Sequence, residues 1–457
     1  MFRNRATLAR SPAHEVALDC LAAGIRGADP ERATRDAVAV TGADLEIDTG
    51  DRSFVDLSAF DRILVLGGGK AAPGVVRALD ARLGERITDG LVVVPEDHAD
   101  VGGSIGAVAL EAGGHPVPTP AGADATERLL DLAESADAST LVLSVVTGGA
   151  SALLASPAGE LAVDDLREVT RGLLDAGADI EAINAVRKHA SRVKGGRLAA
   201  AAAPATVVGL AVSDVVGDSP SVIGSGPGAP DATGYDDALA VLSRYAVDAP
   251  AVRDHLEAGA AGERPETPGP ADPAVADVPT HVVAGARTAI DAAADAAAER
   301  GYEPCVLSSR VQGEARGAAP THVAVAEEAA ASGDPVDPPA VLLSGGETTV
   351  DVRGDGDGGP NTEFALEAAR SLSAGVDRVG DGLVVAAVDT DGRDGASDAA
   401  GALVDSGTVT DDAEAGDALA RNDSLGYLAA RDAALTTGPT GTNVNDLRVL
   451  VVPGRRD

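Results

Sequence analysis

Lysine is nearly absent from this chain of 457 residues. It occurs at Lys70, Lys188 and Lys194, and the rest of the 36 basic residues are arginine. All three lysines lie beside glycine-rich or strongly basic stretches, "VLGGGKAAPG" and "VRKHASRVKGG". A lysine retained on this background is therefore a candidate for a specific role.

Cysteine and long apolar runs are also scarce. The two cysteines, Cys20 and Cys305, are too few and too far apart to indicate a disulfide framework or a metal site. No apolar stretch reaches the ~20 residues that span a bilayer. The first residues, "MFRNRATLARSPAH", lack the apolar core of a signal peptide, so we predict a cytoplasmic protein.

The charge balance excludes two classes of partner. There are 72 acidic and 36 basic residues, which gives a formal charge of −36 and a pI near 4.4. Such a chain repels nucleic acid and anionic membrane surfaces, and we expect neither as a partner. Hydrophobic residues make up 45% of the chain, which argues against disorder. Abundant aspartate, arginine in place of lysine and many small residues indicate a surface adapted to high salt, as in halophilic proteins.

Short apolar runs alternate with alanine-rich helical segments. The runs "RILVL", "GLVVVP", "STLVLSVV" and "ATVVGLAVS" are continuous rather than alternating, which is typical of a parallel sheet covered on both faces. Ligands of such sheets collect at the carboxyl ends of the strands. Glycine-rich elements follow three of these runs, so we expect a binding site there.

The same pattern divides the chain into an α/β N-terminal domain, residues 1–257, and a second α/β domain, residues 280–457. Residues 258–279, "AGAAGERPETPGPADPAVADVP", are rich in glycine, proline, alanine and acids. This composition predicts a solvated linker between the two domains.

The first glycine motif follows "RILVL" and contains Gly67, Gly68, Gly69 and Lys70. Gly67-x-Gly69-x-x-Ala before a helix satisfies the dinucleotide fingerprint, so an NAD(P)H-dependent enzyme is one alternative. That alternative does not explain Lys70. An ammonium group at a helix N-terminus, beside free N–H groups, favours a phosphate or carboxylate site, which is the interpretation we prefer.

Two further motifs offer donors to an anion. In "SVVTGGASALLASP", Gly148 and Gly149 precede Ser151 at a helix start and supply N–H groups and a hydroxyl. In "EAINAVRKHASRVKGGRLA", six potential cations fall within eleven residues of an acidic protein. On a helix, Asn184, Arg187 and Lys188 share one face, so we predict that they bind an anionic ligand. Pairing of these bases with acidic neighbours is the alternative.

Carboxylates follow the next strand in "SDVVGDSPSVIGSGPGAPD". Asp214 and Asp218 lie in a loop of glycine, proline and serine, a position that suits magnesium coordination or a general base. Turn formation alone would also account for these residue types. The C-terminal half repeats glycine- and aspartate-rich loops, among them "LLSGGETTVDVRGDGDGG" and "VDTDGRDGASDAAGA".

Taken together, these motifs resemble the class II glycerate 2-kinases, whose C-terminal domain is called MOFRL. The similarity extends from "VLGGGKAA" to "TGPTGTNVNDL" and includes "GGHPVP", "INAVRKHASRVKGGRLA", "SDVVGDSPSVIGSGP", "GGETTVDVRGDGDGG" and "TDGRDGASDAAGA". Several long motifs in the same order are far more specific than one glycine loop. The resemblance implies a Rossmann-like N-terminal domain, a second α/β domain and a substrate cleft between them.

The resemblance also implies an activity. This is transfer of the γ-phosphoryl group of ATP to the 2-hydroxyl of D-glycerate, with Mg²⁺ as the metal ion and 2-phosphoglycerate as the product. By similarity, Lys70 matches the active-site lysine and Asp214 its acidic partner. The loop of Gly148, Gly149 and Ser151 matches a nucleotide or substrate element.

A loop in the C-terminal half, with Gly345, Gly346 and Glu347, matches a second such element. On this basis we assign nucleotide binding to Gly67, Gly68, Gly69, Gly148, Gly149, Gly345, Gly346 and Glu347. Substrate binding is assigned to Ser151, Asn184, Arg187 and Lys188, and metal binding to Asp214 or Asp218.

The chain departs from the family pattern at several positions. Pro360 stands where the family has an arginine, and Arg353 or Arg393 is a candidate to replace it. Thr147, Ala150 and Asp389 also differ from the family residues. An NAD(P)H-dependent hydroxypyruvate reductase and a non-catalytic binding protein stay open as alternatives, and a homodimer stays open as the assembly.

Overall fold

The computed structural model describes residues 1–98, 100–374 and 382–454. Its helices are α1 (Arg5–Leu8), α2 (Pro12–Gly27), α3 (Pro30–Ala37), α4 (Ala72–Leu83), α5 (Pro120–Glu134), α6 (Ala150–Leu153), α7 (Val163–Asp175), α8 (Ile180–His189), α9 (Arg197–Ala202), α10 (Tyr235–Arg244), α11 (Pro250–Ala260), α12 (Ala286–Glu299), α13 (Ala315–Ser332), α14 (Pro360–Ala374), α15 (Asp412–Ala420) and α16 (Ser424–Ala429).

The strands are β1 (Val38–Thr41), β2 (Asp44–Asp48), β3 (Arg52–Asp56), β4 (Arg62–Gly68), β5 (Asp89–Pro95), β6 (Ser104–Ile105), β7 (Val108–Gly113), β8 (Thr140–Thr147), β9 (Thr206–Val212), β10 (Thr280–Ala284), β11 (Glu303–Val311), β12 (Ala340–Gly346), β13 (Val384–Asp389), β14 (Gly401–Asp405), β15 (Ala434–Leu435) and β16 (Asp446–Val452). Their contacts divide the chain into two compact units, residues 30–283 and residues 1–29 with 284–457.

The unit of residues 30–283 is built on a seven-stranded sheet of order β10-β9-β8-β4-β5-β7-β6. The pairings β9-β8, β8-β4, β4-β5 and β5-β7 are parallel, and β6 is antiparallel to β7. Every residue of β8 is buried, as its unbroken apolar sequence predicts for a strand covered on both faces. The predicted parallel sheet is confirmed.

Helix starts in this unit follow ordinary capping chemistry. Thr119 precedes α5 and its hydroxyl accepts from the N–H of Gly122, while Pro120 occupies the first helical position. Asp179 caps α8 in the same way by accepting from the N–H of Ala182 at 2.8 Å. These caps set where α8, the carrier of the basic motif, begins.

The other unit contains a six-stranded sheet of order β11-β12-β16-β13-β14-β15. β11 and β12 are parallel, whereas the pairings β12-β16, β16-β13, β13-β14 and β14-β15 are antiparallel, so this sheet is mixed. α13 and α14 pack on it around Phe364, which is fully buried. The predicted second α/β region is present, and the α/β class is confirmed for both units.

The division of the chain differs from the boundaries that the sequence suggested. Residues 1–29 pack with the C-terminal half, because α2 contacts α12 and β16. Residues 258–279 lie inside the unit of residues 30–283, where Val275 is buried in its core. The strand "THVVA" is β10, at the edge of the seven-stranded sheet. Composition alone did not separate a packed proline-rich segment from a solvated linker.

None of the helices in the described part of the chain is long and apolar enough to cross a membrane.

Candidate active site

The predicted catalytic residues follow neighbouring strands of the seven-stranded sheet. Lys70 comes after β4, Gly148 and Gly149 after β8, and Asp214 after β9. Because these strands are parallel and lie side by side in the order β9-β8-β4, their carboxyl ends meet at one edge. The structure therefore brings these three motifs together.

Glycine at positions 148 and 149 makes the convergence possible. A Cβ atom on Gly148 would overlap the carboxylate of Asp214, with the carboxyl carbon 3.0 Å away. A Cβ on Gly149 would lie 2.9 Å from Cδ2 of His115 and 3.3 Å from Cγ of Lys70, and Gly149 also has a φ of +85°. The side chains of Lys70, His115 and Asp214 thus lie against the backbone of two glycines that carry no side chain.

Backbone N–H groups of the first glycine motif are hydrogen-bonded inside the protein. The N–H groups of Gly69 and Lys70 donate to the carbonyls of Val93 and Gly148, at 3.0 and 2.9 Å. The N–H of Ala71 donates to the Thr147 hydroxyl at 3.1 Å. These donors are already used inside the protein, so the loop does not offer a free cradle of N–H groups. The free charge at this point is the exposed side chain of Lys70.

Close packing of two strands explains why glycine is required there. A Cβ on Gly67 would overlap the carbonyl oxygen of Val145, and one on Gly69 would overlap the side chain of Thr147. Both glycines have positive φ, +150° and +132°. The dinucleotide fingerprint in this chain therefore reflects how β4 packs on β8.

The pKa values of Asp214 and His115 are shifted in opposite directions. Burial raises the pKa of Asp214, partly offset by the positive charge of Lys70. Burial lowers the pKa of His115, and Lys70 lowers it further against the opposing effect of Asp97. At neutral pH the imidazole is therefore uncharged, and the carboxyl of Asp214 has a greater proton affinity than an exposed aspartate.

Ser151 and Asn184 belong to a buried chain of hydrogen bonds. The Ser225 hydroxyl donates to Oδ1 of Asn184 at 2.9 Å and lies 2.8 Å from the Ser151 hydroxyl. Nδ2 of Asn184 is buried without a hydrogen-bond partner among the described residues. Both residues assigned to substrate binding are therefore joined through Ser225, which the sequence did not single out.

Arg187 borders a small cavity of about 40 Å³. The cavity lies between the start of α6, helices α7 and α8, and the segment after His115; its lining also includes Ser151, Ser191 and Lys194. Burial lowers the pKa of Arg187. No hydrogen bond or ion pair joins its guanidinium to another residue in the described ranges.

Lys188, by contrast, is already paired. Its Nζ donates to Oδ1 of Asp231 at 3.1 Å, and both side chains are buried. Burial acts to raise the pKa of Asp231, but Lys188 and hydrogen bonds from Thr233 outweigh it and hold the pKa below its usual range. This geometry favours a structural role for Lys188 in place of the predicted contact with substrate.

The two candidate metal ligands differ in environment. Both are half-buried, but Asp214 is packed against Gly148, whereas Asp218 lies in the following loop with a φ of +56°. Residues 1–98, 100–374 and 382–454 contain no group of three or more His, Cys, Asp or Glu arranged to hold a metal ion. A Mg²⁺ ion bound mainly by nucleotide phosphates needs only one or two carboxylates, and this loop contains two.

Gly345, Gly346 and Glu347 lie in the other unit, at the end of β12. A Cβ on Gly346 would overlap the carbonyl of Val311, which explains this glycine by the approach of β12 to β11. Beyond Glu347, the N–H and hydroxyl of Thr348 donate to Asp446. Asp446 is the centre of a buried polar network in this unit.

That network gathers motifs that are distant in sequence. Asp446 also accepts from Nδ2 of Asn361 at 2.6 Å and pairs with the fully buried Arg448. Asp394 accepts from the N–H groups of Asn361 and Thr362 at the start of α14 and acts as its cap. The conformation of this aspartate-rich loop is therefore tied to a helix end.

Neither arginine proposed to replace the family residue at Pro360 reaches this network. Arg353 is exposed and pairs with Asp351 at 2.6 Å, and the exposed Arg393 pairs with Asp398 at 3.4 Å. The buried Arg448 was missed, because its position inside β16 gives no sign of a polar role. His115 and Lys194, which lie beside predicted site residues, were not singled out either, although the sequence motifs that contain them were noted.

Comparison with known proteins agrees with this architecture. The model of DUF4147, a domain of unknown function, matches residues 16–257, and the MOFRL family model matches residues 340–446. A D-glycerate 2-kinase of Thermotoga maritima is 36% identical over 426 residues, which are 92% of this chain and 98% of that protein. The chain belongs to the glycerate 2-kinase family.

Structure and sequence give further matches within the family. The crystal structure of a glycerate kinase from Thermotoga maritima has a TM-score of 0.82 at 34% identity and covers 96% of this chain and 99% of its own. A putative hydroxypyruvate reductase of Agrobacterium vitis is 40% identical over 398 residues, 86% of this chain and 99% of that protein. The family assignment predicted from the motifs is confirmed.

Proposed function

We propose that the protein is an ATP-dependent kinase that phosphorylates the 2-hydroxyl of D-glycerate and releases 2-phosphoglycerate and ADP. The observation that carries the proposal is the convergence of Lys70 and Asp214 on the bare backbone of Gly148 and Gly149. Membership of the glycerate 2-kinase family supports the same reaction.

Lys70 is the proposed electrostatic catalyst. Phosphoryl transfer asks a protein mainly to position its reactants and to neutralise charge on the transferring group. Lys70 is exposed, and its ammonium forms no ion pair with another described residue, so it is available to a phosphoryl oxygen. A compact ammonium with rotatable donors serves a moving oxygen better than a planar guanidinium does, which explains why lysine persists here.

Asp214 is the proposed general base. Its half-buried carboxylate takes the proton of the 2-hydroxyl, the alkoxide oxygen forms a bond to the γ-phosphorus, and the bond from that phosphorus to the bridging oxygen of ADP breaks. The raised pKa of Asp214 suits a proton acceptor. Mg²⁺ bound to the ATP phosphates would supply further charge neutralisation, and Asp218 would be its carboxylate ligand in this unit.

Substrate contacts are proposed for Arg187, Ser151 and Asn184, because Arg187 lacks an acidic partner among the described residues and the other two belong to the adjoining hydrogen-bond chain. Nucleotide contacts stay proposed for Gly148, Gly149, Gly345, Gly346 and Glu347. The N–H groups beside Gly69 are used within the fold, so Gly67, Gly68 and Gly69 act by holding Lys70 in place.

Product identification tests the proposal directly. Purified protein in concentrated KCl is mixed with ATP, Mg²⁺ and D-glycerate, and enolase reports 2-phosphoglycerate, because enolase accepts that isomer. High salt screens the charge of −36 and keeps the chain compact. We expect enolase-dependent turnover that Lys70→Ala nearly abolishes. Absence of any phosphoglycerate under these conditions would refute the kinase assignment.

The alternative, a reductase, is favoured only by the names of relatives such as the putative hydroxypyruvate reductase of Agrobacterium vitis. A dinucleotide site needs N–H groups open to a pyrophosphate, and here those of Gly69 and Lys70 are engaged by the protein. Oxidation of NADH by hydroxypyruvate, followed by absorbance, tests this alternative, and we expect none. The cytoplasmic location and the homodimer stay predictions.

A further inference from the structure

The cavity beside Arg187 is lined by two bases and by no acidic residue. Of its lining side chains, only Arg187 and Lys194 are titratable, and both are bases. The other lining residues are apolar or carry hydroxyls: Pro116, Pro118, Ser151, Ala152, Ala155, Leu166, Val169, Thr170, Ala190 and Ser191. Acidic residues outnumber basic ones two to one in this chain, yet none of them lines this space.

Two buried like charges without a counter-ion destabilise a folded protein. In the same unit, the buried Lys188 has a carboxylate partner in Asp231. Lys194 is 4% exposed, and its Nζ donates to the carbonyl of Leu154 at 2.6 Å, a neutral acceptor that uses one of three donors. The cavity is therefore complementary to an anion that the protein itself does not provide.

We propose that this cavity binds the carboxylate of the acceptor substrate between Arg187 and Lys194, and that Lys194 takes up a proton when the carboxylate enters. This inference rests on the proposed function and names a substrate-specificity residue for it. A cavity of about 40 Å³ has room for about three water molecules, which is enough for a carboxylate group.

The position of the cavity fits the chemistry at the strand ends. Ser151 lines it and is two residues beyond Gly149, which lies against Lys70 and His115. Pro116, also in the lining, directly follows His115. A 2-hydroxy acid whose carboxylate lies here would have its hydroxyl on the adjoining carbon.

The charge state of Lys194 explains why binding of a carboxylate would be coupled to uptake of a proton. Burial, with a further contribution from Arg187, lowers the pKa of Lys194 to about 7. In the empty site, the amine therefore loses its proton as the pH rises through about 7. Arg187 on α8 is the charged group that acts on it; the lining residues of α7 and of the segment after His115 are uncharged, and the ammonium of Lys188 is held by Asp231. A bound carboxylate restores the proton.

Titration calorimetry with D-glycerate tests the proposal on the wild-type protein. Binding is measured above pH 7 in buffers of different ionisation enthalpy, and we expect uptake of close to one proton per carboxylate bound. In steady-state assays, the KM for glycerate should rise as the pH exceeds about 7, by about tenfold per pH unit at the limit, through loss of the ammonium form. Binding without proton uptake would overturn the proposal.

Variants separate this role from general effects of charge. Lys194→Arg keeps the charge at high pH, so the pH dependence of KM should flatten, whereas Lys194→Met should raise KM at every pH. Arg171→Gln, an exposed arginine on α7, removes the same charge outside the cavity and should leave KM and its pH profile unchanged. Circular dichroism reports whether each variant is folded.

The outcomes distinguish this inference from the proposed function. Turnover of glycerate with a pH profile unchanged in Lys194→Arg would sink the inference and leave the kinase intact. Calorimetric binding with proton uptake, lost in Lys194→Met, but no phosphoglycerate from the wild type would refute the kinase and support the site. Neither binding nor turnover in the wild type would overturn both.

Discussion

Replacement of Lys188 by methionine should lower stability and leave substrate affinity unchanged. The sequence assigned Lys188 to substrate binding together with Arg187, and the structure pairs it with Asp231 inside the protein. Methionine preserves the length and apolar stem of the side chain, so the substitution removes mainly the charge. The prediction therefore distinguishes a structural role of Lys188 from a role in substrate binding.

The magnitude follows from the geometry of the pair. At 3.1 Å and an effective dielectric constant of about 20, the Coulomb attraction is about 5 kcal/mol. Asp231 keeps hydrogen bonds from the N–H and hydroxyl of Thr233, at 3.1 and 2.8 Å, which offset part of the loss. Removing one partner of a buried pair typically costs ~3–5 kcal/mol, and we expect about 3 kcal/mol here.

The assay is urea unfolding in concentrated KCl, with circular dichroism as the signal and glycerate KM measured on the folded protein. Adding Asp231→Asn to Lys188→Met should recover part of the stability, because the unpaired buried carboxylate is removed while the amide oxygen still accepts from Thr233. Arg171→Gln serves as the exposed control. If Lys188→Met is as stable as the wild type but binds glycerate far more weakly, the structural reading is wrong.

Three further predictions concern charge and backbone. Lys70→Ala should lower kcat by about 10²–10³-fold, and the urea midpoint should not change because the side chain is exposed. A smaller loss of kcat in the folded variant would contradict the catalytic role of Lys70. Burial and the charges of Asp391 and Asp446 raise the pKa of Asp389 to about 8, so the folded state holds a proton that the unfolded carboxyl releases from about pH 4 upward. The contribution of Asp389 to the free energy of unfolding therefore falls as the pH rises from about 4 to about 8. Measured by urea unfolding, Asp389→Asn should stabilise the protein above pH 8 by more than about 1 kcal/mol relative to its effect at pH 4. Equal effects of the substitution at both pH values would contradict this prediction. Gly69→Ala should destabilise far more than Gly42→Ala in urea unfolding, because both glycines have positive φ but only a Cβ at position 69 meets the Thr147 side chain.

The parallel sheet could be predicted from the sequence. The runs that form β4, β5, β8 and β9 are continuous and apolar, and strands buried on both faces allow little else at those positions. The antiparallel strands β1–β3, the two-residue β6 and the neighbouring β7 were missed, because polar residues interrupt their apolar sequence or the strand is too short to give a pattern. The packing of residues 1–29 with the C-terminal half was missed as well, since a helix does not reveal its distant partner.

The family motifs could be found for a related reason. Glycine, aspartate and lysine at strand ends are local signals, and their order along the chain is specific to the family. His115 carried no such signal, because an isolated histidine in a proline-rich stretch has many ordinary explanations. Its place became evident only where Gly149 allowed it to approach Lys70.

The sequence alone determined most of the elements and where chemistry-bearing side chains leave them, because propensity, capping and apolar periodicity act over a few residues. Tertiary structure decided what each polar group does, because the partners lie far away along the chain. Lys188 meets an aspartate 43 residues on, Lys194 meets a carbonyl 40 residues back, and the N–H of Ala71 meets a hydroxyl 76 residues on. In the basic motif of α8 and the following loop, Lys188 is paired with Asp231, whereas Arg187 and Lys194 have no carboxylate partner among the described residues and can bind an anion.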